Sequence, residues 1–306
     1  MAEFSRYHLP YVVVFIPAYN EENSIGDVIK RIKEIYVGGE NQDYIVETIV
    51  VDDGSKDKTA QAARHAGVKK IVTHPYNRGL GAATRTGLQT AFEMGADIAV
   101  KIDADMQNPP EEIETVIRPI LEDRADCVFG SRLMGGLIYE MPAYRKWGNK
   151  FFAWLVSKII GFKWTDATTG LMAFHRRYLE VFNIIKDYNE TQQLIIDSWG
   201  KHMRVMEVST KFHPRKSGKS FIKAGFKYPA IVIPTMIRMY IHFKPLRSFL
   251  SIGLVWIIAG IIAACNLIIK NGNTIFGSAT VAILIIVGFQ IIFFGLLADQ
   301  ISYKRK

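Results

Sequence analysis

The sequence predicts an α/β fold: an open, doubly wound, mostly parallel sheet with helices on both faces, followed by amphipathic helices and a C-terminal transmembrane hairpin. Three observations predict it. Short apolar, β-rich runs alternate with helical patterns through the first half. Each of these runs ends in a polar cluster. Two uncharged apolar stretches, each long enough to cross a ~30 Å hydrocarbon core, occupy the last sixty residues.

The runs 11–16, 45–51, 70–73 and 98–102 are rich in Val and Ile and read as buried parallel strands. The periodic stretches 24–35, 59–65 and 80–92 between them read as helices, and 127–130 reads as a further strand. Ligands of open α/β sheets bind beyond the carboxyl ends of the strands. The clusters at Pro17 to Glu21, Asp52 to Ser55, His74 to Gly79 and Asp103 to Asp105 therefore locate a site. Residues 1–224 are expected to form the catalytic domain, with an interface helix near 149–161. Residues 225–244 follow as an amphipathic interface helix, and 245–306 as a two-span hairpin with a basic tail. The segment 151–160 combines Phe151, Phe152 and Trp154 with Lys158, as helices lying in a headgroup layer do.

The formal net charge is +9, which suits an anionic partner. Basic residues thicken near the apolar spans, pointing to phosphorylated substrates and a lipid bilayer rather than nucleic acid. Span 248–269 follows Lys244 and Arg247, and span 275–298 precedes Lys304, Arg305 and Lys306; the loop between them holds only Lys270. The positive-inside rule then places both termini and the catalytic domain in the cytoplasm of a two-span membrane protein. The start lacks the pattern of a signal peptide. Asn266 and Gln290 read as interhelical hydrogen-bonding residues, and so short a hairpin favours a homo-oligomer. The two cysteines, Cys127 and Cys265, lack metal-ligand spacing.

Asp103-Ala104-Asp105-Met106-Gln107 ends an apolar strand. If the segment stays extended, Asp103, Asp105 and Gln107 share one face. Three oxygen-bearing side chains there suit Mg²⁺ or Mn²⁺, which prefer hard ligands and leave positions open for substrate phosphates. Asp52 and Asp53 form a second acidic strand end able to meet a nucleoside, while Asp57 or Ser55 can cap the helix that follows. Gly79-Leu80-Gly81 lacks the Walker pattern and fits either a ligand contact or a tight, closely packed turn.

Together, Pro17-Ala18-Tyr19-Asn20-Glu21-Glu22, Val51-Asp52-Asp53-Gly54-Ser55, Asn77-Arg78-Gly79, Asp103 to Pro110 and Gly130-Ser131-Arg132 resemble the family 2 glycosyltransferases of GT-A fold, a Rossmann-like architecture. More narrowly they resemble dolichyl-phosphate mannose or glucose synthases and bacterial two-span polyprenyl-phosphate glycosyltransferases. The resemblance implies that Pro17, Tyr19, Glu21 and Asp53 hold the nucleoside, and that Asp103, Asp105 and Gln107 hold the metal on the donor diphosphate. It assigns Ser131, Arg132 and Arg145 to the acceptor lipid's phosphate, making Asp105, Arg132 and Arg145 the catalytic set. Arg215, Gly218 and Ser220 resemble a loop that closes over the donor. Phe221 stands where that loop usually carries a lysine, and Lys219 lies one place before the serine. Thr168-Thr169-Gly170 resembles the segment behind the acceptor site.

The expected reaction is inverting transfer of one hexose from GDP-mannose or UDP-glucose to polyprenyl or dolichyl phosphate. The acceptor oxygen is already anionic, so no strong general base is required. Two arginines can clamp that phosphate near the anomeric carbon. Competing readings are a family 2 transferase with another membrane acceptor and a non-catalytic nucleotide-sugar-binding scaffold. A transporter fits poorly, since one hairpin gives little lining for a path.

Overall fold

A computed structural model describes residues 9–36, 43–134, 143–188, 190–214, 227–269 and 275–303. They divide into two compact units, with the boundary between Val232 and Ile233.

The first unit is built on a seven-stranded sheet of β1 (Tyr11–Ala18), β2 (Ile45–Asp52), β3 (Lys70–Thr73), β4 (Ile98–Lys101), β5 (Cys127–Ser131), β6 (Met172–His175) and β7 (Val205–Ser209). Its order is β3-β2-β1-β4-β6-β5-β7. The first four strands pair in parallel, as their continuous apolar runs predict. β6 runs antiparallel to both β4 and β5, and β7 pairs parallel with β5. The sequence pattern does not announce β6 or β7. A four-residue apolar run cannot be told from a buried turn, and β7 is only partly buried along its length.

Helices cover both faces. Val12, Val14 and Ile16 pack with Val28, Ile29 and Ile32 of α1 (Ile25–Tyr36) and with Val116, Ile117 and Ile120 of α4 (Ile113–Leu121). Burying each such side chain contributes roughly 1.5–3 kcal/mol. α2 (Thr59–His65) packs beside β2 and β3, while α3 (Leu80–Glu93) lies against β1 and β2. α5 (Ala143–Ile160) buries Phe152, Ala153, Val156 and Ile160, yet exposes Trp147, Phe151 and Trp154. The short α6 (Arg176–Leu179) and α7 (Glu190–Gly200) complete this unit, and α8 (Lys227–Phe243) spans the boundary.

The second unit contains α9 (Pro245–Ile269) and α10 (Ile275–Tyr303), packed on each other. Both are long and apolar enough to cross a membrane, and most of their large apolar side chains are exposed. The backbones approach closely: a Cβ at Gly253 would lie 2.5 Å from Ile292, and one at Gly288 would lie 2.5 Å from Ile257. Small residues at helix contacts are how spans pack where no hydrophobic effect drives them together.

Candidate active site

The carboxyl ends of β1, β2 and β4 open onto a cleft of about 430 Å³, where the strand-end clusters predict a site. Pro17, Tyr19, Glu21 and Asp53 line one part, and Asp103, Asp105, Thr168, Glu190 and Thr191 line another.

The loops after β1 and β2 are stitched together by side chains. Asn20 N–H donates to Ser55 Oγ, Lys56 N–H to Asn20 Oδ1, Glu21 N–H to Thr59 Oγ1 and Lys58 N–H to Glu22 Oε2. Asp57 Oδ1 accepts from the Thr59 amide, but the N-cap position of the helix that follows is Lys58, and neither Asp57 nor Ser55 occupies it as expected. Asp53 is buried, and both its oxygens are engaged. Oδ1 accepts from the Arg78 amide at 3.0 Å and meets His74 Nδ1 at 2.6 Å, and Oδ2 accepts from the Gly79 amide at 2.7 Å. Its carboxylate thus holds the 77–79 turn in place, while the residue forms cleft wall. Gly79 has φ 101°, a left-handed value that favours glycine, and a Cβ there would sit 2.5 Å from Asp187 O. The glycine pair packs closely on the backbone of Lys186 and Asp187, and Gly79 also lines the cleft, so both roles stay open to it.

The acidic strand end departs from its expected geometry. β4 stops at Lys101, and residues 104–107 turn instead of staying extended. Met106 adopts φ 60°, and Asp105 Oδ1 accepts from the Gln107 amide at 3.1 Å. The period-two face is therefore broken. Asp103 and Asp105 both line the cleft, whereas Gln107 Nε2 donates to His213 O at 3.3 Å. That bond leaves Gln107 Oε1 as the amide's acceptor atom. Two carboxylates at the cleft are hard oxygen donors, which suit Mg²⁺ or Mn²⁺, whereas the expected third donor, Gln107, is not among the cleft's lining residues.

Asp103 is tightly flanked. Oδ1 accepts from Lys101 Nζ at 2.6 Å, and Oδ2 lies 2.0 Å from where a Cβ on Gly170 would stand. Lys101 is completely buried and reaches Glu190 Oε1 at 3.3 Å. Burial alone would pull its ammonium down, but the charges of Asp103 and Glu190 outweigh it, and the net direction is up. Burial pushes the Glu190 carboxyl up, with Lys101 opposing. Sequence reasoning missed both residues. The available signal was a lysine closing the otherwise apolar Ile98-Ala99-Val100 run.

Arg132 lies at the end of β5. Its Nε donates to Asp166 Oδ2 at 2.6 Å, and its Nη2 to Asp166 Oδ1 at 2.7 Å. The guanidinium also sits 5.0 Å from the centre of the Phe212 ring. Burial would raise the Asp166 carboxyl, yet Arg132 and the Thr168 amide hold it below its ordinary value. Glu207 accepts from the Thr165 and Asp166 amides, bracing the segment from behind. Ser131 is fully buried, with Oγ 2.7 Å from Thr165 Oγ1. It reaches the network rather than the cleft surface. Arg145 lies on α5, but its side chain falls outside the described residues, as do Arg215, Gly218 and Ser220. Asp166 and Glu207 went unnoticed in the sequence because their partners lie far away along the chain, whereas His74 belongs to a strand-end cluster expected at the site but was given no role of its own.

A doubly wound half-sheet, closed by an antiparallel strand and carrying two carboxylates at its cleft, defines the GT-A class of nucleotide-sugar transferases. Residues 13–182 match Glycosyl transferase family 2, and residues 244–303 match the GtrB C-terminal hairpin. The chain belongs to glycosyl transferase family 2 and is a glycosyltransferase with two apolar spans at its C-terminus. It is 34% identical over 220 residues to the UDP-N-acetylglucosamine–dolichyl-phosphate N-acetylglucosaminyltransferase of Methanococcus voltae, covering 65% of this chain and 84% of that protein. It is 31% identical to the dolichol-phosphate mannosyltransferase of Pyrococcus furiosus, covering 69% of this chain and 59% of that protein. Among solved structures it resembles glucosyl-3-phosphoglycerate synthase from Mycobacterium tuberculosis, crystallised with Mn²⁺, UDP-glucose and phosphoglyceric acid. That match has a TM-score of 0.58 and 19% identity, and covers 76% of this chain and 79% of the other. At that identity the likeness speaks for the fold.

Proposed function

We propose that this protein transfers one sugar, with inversion, from a nucleoside diphosphate sugar to a polyprenyl or dolichyl phosphate. The observation that carries the reading is the pairing of Asp103 and Asp105 in one cleft, in a chain that ends in two apolar spans. Relatives named for transfer to dolichyl phosphate support the acceptor class. The donor is a nucleotide-linked hexose or N-acetylhexosamine. UDP-N-acetylglucosamine joins UDP-glucose and GDP-mannose as a candidate because of the Methanococcus relative.

In this reading Pro17, Tyr19 and Glu21 form the nucleoside wall, and Asp53 fixes the turn beside it. Asp103 and Asp105 would hold Mg²⁺ or Mn²⁺. When bound, that ion neutralises charge growing on the leaving diphosphate. A lone pair on the acceptor phosphate oxygen forms the new bond to the anomeric carbon, while the bond to the diphosphate breaks and its electron pair leaves with the nucleotide. Attack opposite the leaving group inverts the centre. Arg132 orients the acceptor phosphate together with Arg145. Asp166 presets the guanidinium plane, so an incoming phosphate shares Arg132 with it. Ser131 supports this arrangement through Thr165.

We also assign the exposed face of α5 to the headgroup layer. Trp147 is 73% and Trp154 54% exposed, with Lys146 and Lys150 beside them. α8 is assigned a similar interfacial place. The charge asymmetry around the hairpin supports a cytoplasmic place for the catalytic unit.

The test is to incubate the purified full chain with Mn²⁺, polyprenyl phosphate and each of the three radiolabelled donors in turn, then extract the lipid. Label from one donor in the lipid fraction is expected. Label that appears only with a glycolipid or polysaccharide acceptor would replace this reading with that of another membrane transferase.

A further inference from the structure

Within the charge set at the cleft floor, one pair is not accounted for by the mechanism above. Lys101 is completely buried at the end of β4, where a lysine must lose its water. Its ammonium contacts Asp103 Oδ1 at 2.6 Å, Glu190 Oε1 at 3.3 Å and Gly170 O at 3.4 Å. Glu190 is itself buried and opens α7, 89 positions along the chain, so the two meet only through the fold.

A lysine against Asp103 poses a problem for a cation site. Alone, it would cancel one of the two carboxylate charges facing the cation and repel the ion directly. Glu190 supplies a compensating negative charge on the other side of the same ammonium. We infer that Glu190 is a second counter-ion of Lys101 beside Asp103, and that its negative charge offsets the lysine so that the Asp103–Asp105 cluster keeps the net negative charge that attracts a divalent cation. The inference rests on the reading that those carboxylates hold the cation, and it adds a charge-setting pair behind Asp103, of which Glu190 also lines the cleft. A nearly neutral pair inside the protein persists because each partner alone would be an uncompensated buried charge.

The double-variant cycle separates charge setting from simple scaffolding. Mn²⁺ is titrated into the full chain in detergent with UDP present, and free ion is read by its electron paramagnetic resonance signal. Glu190→Gln, which leaves Asp103 as the carboxylate facing Lys101, is expected to weaken Mn²⁺ binding about tenfold or more. Lys101→Met combined with Glu190→Gln removes both charges at nearly constant volume and is expected to bind within about threefold of the parent. Equal Mn²⁺ affinity in the parent and Glu190→Gln would overturn the inference. So would a double variant that binds no better than Glu190→Gln alone. Asp105→Ala, run in parallel, is expected to lose binding. If it binds Mn²⁺ as the parent does, the carboxylate site itself is wrong, whereas loss in Asp105→Ala with none in Glu190→Gln condemns only the counter-ion.

Discussion

Arg132 and Asp166 meet through two parallel bonds, Nε to Oδ2 at 2.6 Å and Nη2 to Oδ1 at 2.7 Å, and Asp166 also accepts the Arg132 amide at 3.1 Å. Three bonds to one buried carboxylate fix both the backbone and the guanidinium plane at the end of β5. Lysine offers a point charge and cannot reproduce that fork. Arg132→Lys is therefore expected to raise the KM for polyprenyl phosphate about tenfold or more while nucleotide affinity stays within about twofold. Steady-state kinetics with the lipid and the donor varied separately distinguish these outcomes; an unchanged lipid KM would remove Arg132 from acceptor binding. Asp166→Ala takes the carboxylate from a nearly buried arginine and is expected to lower stability by roughly 3–5 kcal/mol, measured by thermal unfolding in detergent.

Gly170 is sensitive for a steric reason. A methyl group there would lie 2.0 Å from Asp103 Oδ2 and 2.7 Å from Asn108 Nδ2, so the Asp103 carboxylate must move. Gly170→Ala is expected to destabilise by about 1–3 kcal/mol through overpacking. Its loss of turnover should exceed what the remaining folded fraction explains. Activity that simply tracks the folded fraction would show that the position of Asp103 is unimportant.

Asp53 organises the wall through the Arg78 and Gly79 amides. Asp53→Ala orphans both amide donors and takes the partner from His74 Nδ1, while His74 Nε2 keeps Thr86 Oγ1, at about 1–3 kcal/mol for each group left unsatisfied. Weaker nucleotide binding should accompany lower stability. His74→Ala spares the two amide bonds and is expected to weaken the nucleotide less than Asp53→Ala does. Isothermal titration with UDP and GDP compares the two; the reverse order would place His74, not Asp53, at the centre of the wall.

Stability should also report on Asp126. Burial would raise its carboxyl, but hydrogen bonds and charge from Arg204, helped by Arg177, bring it down to about 2 from 3.8. A depressed carboxyl stabilises the fold while it is ionised in both states. The contribution is therefore complete above about pH 4 and fades as the pH falls through about 2. Asp126→Asn should lower Tm at neutral pH, and its gap from the parent should shrink on acidification across that window. A constant gap would mean that the charge on Asp126 is irrelevant.

Much of this architecture is legible in the chain. The Val- and Ile-rich runs of β1 and β2 and the uncharged spans of α9 and α10 each carry their own local signal. Asp103 and Asp105 are legible because they follow an apolar strand. Their expected alignment with Gln107 fails because period two holds only for extended backbone, and the left-handed Met106 turns the chain. Long-range pairs leave no local trace: Lys101 with Glu190, Arg132 with Asp166, and Asp53 with His74 are set by strand order, not by spacing. β6 hides for a related reason, since its antiparallel insertion between β4 and β5 follows a long excursion of the chain.

The most direct measurement compares the parent and Asp105→Ala for transfer of labelled sugar to polyprenyl phosphate, with folding of both checked by thermal unfolding. The account predicts that Asp105→Ala unfolds like the parent yet transfers about a hundredfold or more slowly, because the leaving diphosphate loses its charge stabilisation. A folded Asp105→Ala protein that transfers sugar at the parent rate would contradict it.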